Sequence, residues 1–74
     1  MDRATLSREL ALAEAHIRRG AEHIERQRGR VAELERDGHD ATQARQLLVT
    51  FEDTQRLHVA GRDRIARELA AMPE

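Results

Sequence analysis

The chain has 74 residues, 39% apolar and 36% charged, with 13 basic and 14 acidic side chains, no cysteine, and Phe51 as its single Phe, Tyr or Trp. That length holds one small domain with a modest share of its surface buried, and the lack of cysteine excludes disulfides and a four-cysteine zinc site. A formal net charge of −1 gives no general pull toward nucleic acid or an anionic membrane.

The same composition argues against a sheet core or an aromatic-lined ligand pocket. Its richness in Ala, Leu, Glu and Arg is that of long helices. Freedom from cysteine fits a cytoplasmic location. The N-terminus lacks the unbroken apolar run of a signal peptide, and no stretch is long enough to cross a bilayer.

Helix one is predicted from about Thr5 to about Asp37. Its inward positions step by threes and fours through Leu6, Leu10, Ala13, Ile17, Gly20, Ile24, Gln27, Val31 and Leu34. Leu10, Ile17, Ile24 and Val31 share one heptad position, and Leu34 closes the alternate set. A repeat of 3.5 residues held this long is a coiled-coil seam.

The turn is predicted at residues 37–40. Asp37-Gly38 follows the last periodic residue, and glycine suits the left-handed position after a helix. Asp40 then serves as an N-cap, with Gln43 placed to close a capping box. Helix two is predicted from about Ala41 to about Ala71, with Pro73 just beyond. Its seam reads Ala44, Leu47, Phe51, Thr54, His58, Gly61, Ile65, Glu68, Met72.

These elements make a single all-α domain over residues 1–74, an antiparallel two-helix coiled-coil hairpin. Residues equidistant from His39 should face each other. That sets Leu34 by Ala44, Val31 by Leu47, Gln27 by Phe51, Gly20 by His58 and Ile17 by Gly61. Glycine within a helix costs about 1 kcal/mol against alanine, so Gly20 and Gly61 point to close packing.

Helix two carries more apolar surface than one seam uses. Leu48, Leu57 and Leu69 flank it, with Val49 and Val59 further round. These predict a second interface, closed most simply by a two-fold homodimer that forms a four-helix bundle. The plainer reading is that the leucines are singly exposed, which is ordinary on a surface. The expected role is a protein–protein interaction or regulatory module.

Other chemistry is thinner. His16, His23 and His58 come from two helices at similar heights and are the candidate ligands of a metal-responsive sensor. The Glu-x-x-His spacing of bundle di-metal sites is absent, and the plainer reading has His58 filling the space over Gly20. Gln27, Thr54 and His58 form a polar belt that would fix register. The arginines of the Arg18–Arg30 stretch are the basis of a nucleic-acid alternative, although Glu22 and Glu25 interleave with them and no reading motif accompanies them. No nucleophile has a neighbouring base, so neither an enzyme nor a cofactor is expected.

The run from Ile24 through Leu34-Glu-Arg-Asp-Gly-His-Asp40, then Ala44-Arg-Gln-Leu-Leu48, Phe51-Glu52 and His58, resembles a set of short bacterial helical proteins, chiefly alphaproteobacterial, of no known activity. The resemblance implies a bacterial source and carries over no functional residue.

Overall fold

The computed structural model describes residues 2–73, so the first and last residues of the expected domain lie outside the described part. Two helices make up the chain, α1 (Arg3–Arg36) and α2 (Thr42–Ala71). They pack against each other as a hairpin with Cα extents of 58 × 14 × 13 Å. No helix is long and apolar enough to cross a membrane, among the described residues.

α1 starts earlier than the apolar spacing suggests because Asp2 caps it, accepting the Thr5 backbone N–H at 2.7 Å. At its other end Asp37 is the C-cap and Gly38 turns left-handed at φ +74°. The Gly38 N–H donates to the Glu35 carbonyl, and the His39 N–H donates to the Leu34 carbonyl at 2.8 Å. This pair of bonds is a Schellman closure, which satisfies carbonyls the last helical turn leaves free.

The start of α2 departs from the expected capping box. Ala41, not Asp40, is the cap residue, and Gln43 takes no part in the described hydrogen bonds there. Asp40 acts one position earlier, accepting from the Thr42 N–H at 2.9 Å and the Thr42 hydroxyl at 2.7 Å. Ala41 is 2% exposed, so the chain has already turned into the hairpin before α2 begins. At the far end Met72 is extended, as a residue before proline must be. Arg3 reaches over to the Met72 and Pro73 carbonyls and joins the two ends.

On α1, all nine positions of the seam from Leu6 to Leu34 are buried or half-buried. α2 presents a different stripe from the expected one. Ala44, Leu48, Phe51, Gln55, His58, Arg62, Ile65, Leu69 and Met72 are half-buried, whereas Leu47, Thr54 and Glu68 are exposed. The helix is rotated by roughly 50°, half of one residue's step. The rotation brings Leu48 and Leu69 inward and sends Thr54 and Glu68 to water, which buries more apolar area.

The two glutamines fix the level. Gln55 Nε2 donates to the Ile17 carbonyl at 2.7 Å, and Gln27 Nε2 donates to the Ala44 carbonyl at 2.9 Å. With His16 beside His58 and His23 beside Phe51, residues pair about a point nearer 37 than 39. Gly20 therefore meets Gln55 rather than His58, and an added Cβ at Gly61 would find no atom within 4 Å. The close approach expected between Ile17 and Gly61 is absent.

Candidate functional site: a histidine-lined groove

The two edges of the hairpin differ. Along one edge, ion pairs cross between the helices, from Arg28 to Glu52 at 3.3 Å and from Arg45 to Glu35 at 3.1 Å. The hydrogen bonds it donates to Glu25 and then to Glu52 hold the Arg28 guanidinium's pKa above its ordinary value. Along the opposite edge no cross-helix ion pair occurs among the described residues, and the helices leave a groove.

Part of the groove is a hollow of about 330 Å³. α1 supplies His16, Arg19, Gly20 and His23 to it, and α2 supplies Thr50, Phe51, Thr54, Gln55 and His58. Short side chains border the space, those of the two threonines, while Gln55 takes the place a side chain at Gly20 would fill. The groove runs on toward the chain ends past Ala13, Leu57, Gly61 and Ile65, and toward the turn past Arg26 and Gln27.

Inside it, the His16 and His58 rings lie 5.7 Å apart between centroids, tilted by 42°. His23 instead stands against Phe51, with centroids 6.0 Å apart. Arg19 Nη2 lies 3.2 Å from His16 Nδ1. On the floor, Gln55 Oε1 and His58 Nδ1 are buried and have no hydrogen-bond partner among the described residues.

The three candidate metal-ligating histidines thus line one groove without converging on a point. No group of three His, Asp or Glu side chains is placed to hold a metal ion, among the described residues. The arginine stretch is divided. Arg19 and Arg26 line the groove, while Arg28 crosses the other edge to Glu52.

The residues expected at a second interface separate as well. Leu48 and Leu69 are half-buried within the hairpin stripe, and Val59 is half-buried on the ion-paired edge. Leu57 stays 74% exposed beside the groove. Leu47, expected inside, is 44% exposed on the same edge, and Leu12, which sequence reasoning passed over, is 60% exposed. Spacing was the available signal for Leu12, because it stands four residues before His16 and so shares its face. No protein-family model, curated protein or solved structure matches the chain.

Proposed function

We propose that this hairpin is a cytoplasmic protein–protein interaction module that completes its core by packing the groove edge against a second helical pair, most simply another copy, as a four-helix bundle. The observation that carries the reading is an unfinished core. Only Leu6, Ile24, Val31 and Ala41 are buried among the described residues, and α2 buries none of its own. Meanwhile Leu12, Leu47 and Leu57 stand exposed along one edge. A chain this small gains most by covering such a face.

The divided arginines favour this reading over nucleic-acid binding, and the divergent histidines favour it over metal sensing. Sedimentation equilibrium of the native chain and of Leu57→Glu tests it. The native chain is expected at twice its monomer mass. The variant is expected as a monomer, or with at least tenfold weaker association. A native chain that stays monomeric at high micromolar concentration would overturn the proposal.

A further inference from the structure

We propose that the second copy lies head-to-tail across the groove, related by a two-fold axis that passes beside Thr54 and runs across the helices. This rests on the interaction reading above and adds its geometry.

The first argument is where the apolar side chains sit. Leu47, Phe51 and Leu57 belong to α2, whereas α1 gives this edge one exposed leucine, Leu12, beside His16, His23, Arg19 and Arg26. Two arrangements close a pair of hairpins face to face. A two-fold axis parallel to the helices stacks α2 of each copy on α1 of the other, which buries Leu47 and Leu57 against arginine and histidine. An axis across the helices stacks α2 on α2, apolar against apolar, and makes the copies antiparallel. Joining the apolar side chains of α2 to each other favours the second arrangement, and the long Arg19 and Arg26 side chains, exposed on α1, reach out to water.

The second argument is register. Leu47 and Gly61 lie seven residues before and after Thr54, and Phe51 and Leu57 lie three before and after it. An axis at Thr54 therefore sets each Leu47 over Gly61 of the other copy, where a Cβ would meet no atom within 4 Å. The same axis sets each Leu57 against Phe51, at the hollow. Both projecting leucines find a matching recess by one operation.

The third argument is charge and area. Thr54 is level with Gly20, because His16 faces His58 and His23 faces Phe51. Glu9 and Arg30 lie eleven before and ten after Gly20, so the axis brings each Glu9 toward Arg30 of the other copy. A face 58 Å long and 14 Å wide offers on the order of 800 Å², what one partner contributes to a standard interface.

The chain has no cysteine, which makes disulfide trapping clean. Thr54→Cys is expected to convert mostly to covalent dimer under mild oxidation. A mixture of Leu47→Cys and Gly61→Cys is expected to yield the mixed disulfide, and each reduced variant should match the native helicity by circular dichroism. Trapping instead between Leu12→Cys and Gly61→Cys, with Thr54→Cys unreactive, would place the axis along the helices and overturn the arrangement. A native dimer in which neither set traps would also overturn it. A native monomer by sedimentation would remove the arrangement together with the interaction reading beneath it.

Discussion

The Gln55 side chain lies over Gly20, where an added Cβ would stand 2.9 Å from the Gln55 Cδ. The missing side chain is what lets Gln55 Nε2 pass to the Ile17 carbonyl at 2.7 Å. With Gln27 donating to Ala44 in the opposite sense at 2.9 Å, each helix reaches one backbone oxygen of the other. Sliding one helix past the other breaks both bonds, so the pair holds the axial level that an apolar seam alone would hold loosely.

Gly20 and Gly29 should therefore answer differently to alanine. An added Cβ at Gly29 meets nothing within 4 Å, so Gly29→Ala should stabilise by about 1 kcal/mol from helix propensity. That corresponds to a Tm rise of roughly 4–8 °C. Gly20→Ala should give no gain or a loss, because it displaces Gln55 from a bond worth about 0.5–1.5 kcal/mol net. In a Gln55→Ala background the same change should become stabilising. A double-mutant cycle by urea unfolding reads this coupling; additive effects would show that Gln55 does not depend on the glycine.

Gly38 tests the turn. Its φ of +74° lies in the left-handed region, where a Cβ costs about 1–2 kcal/mol. Gly38→Ala should lower stability by about that amount, and Gly38→Asn by less, since asparagine tolerates the conformation. Equal stability of the alanine variant and the native chain in urea would mean the Schellman closure can be rebuilt another way.

Acid should loosen both helix starts. The Thr5 backbone N–H holds the Asp2 carboxyl below its ordinary 3.8, and the Thr42 hydroxyl and then its backbone N–H do the same for Asp40. A carboxyl depressed on folding contributes stability above its unfolded value and loses it as pH falls through the folded one. Tm should thus decline below about pH 4. A chain with Asp2→Asn and Asp40→Asn keeps the acceptor oxygens without the charge, so its decline should be shallower. Calorimetric scans across that interval check it; identical slopes would assign the acid sensitivity to other carboxyls.

The hairpin itself was legible because its signals agree. Leu10, Ile17, Ile24 and Val31 repeat at one heptad position with no competing stripe, and Asp37-Gly38 stops α1 in the expected place. α2 was ambiguous for a physical reason. Two stripes share Ala44, Phe51, His58, Ile65 and Met72 and differ only between Leu47, Thr54, Gly61, Glu68 and Leu48, Gln55, Arg62, Leu69. Each alternate set mixes apolar with polar side chains, so periodicity does not rank them. Contacts across the hairpin decide: Gln55 finds a carbonyl, and Arg62 lies half-buried with its Nε donating to Asp63 at 2.6 Å, where its methylene stem is able to cover the seam. Similarly, the seven-residue step from His16 to His23 puts both on one edge, but whether His58 or Phe51 stands beside each depends on an axial level that the turn alone does not set. The Asp2 cap was missed because Thr5, three residues on, lacks the Glu or Gln of a capping box.

Adjacent residues Leu48 and Val49 give the most direct check on how α2 is turned. Leu48 is half-buried against α1, whereas Val49 is 54% exposed. Leu48→Ala should cost about 2 kcal/mol, the lower end for truncating a packed leucine. Val49→Ala should stay within about 0.5 kcal/mol, as is usual at the surface. Both need comparison at one chain concentration, because association adds to apparent stability by mass action. The stripe read from sequence alone puts Leu47 inward and leaves Leu48 flanking it, so it predicts a far smaller gap between the two variants. A Leu48→Ala chain as stable as Val49→Ala would turn α2 back toward that stripe, and the Gln55 bond to Ile17 would then have to be given up with it.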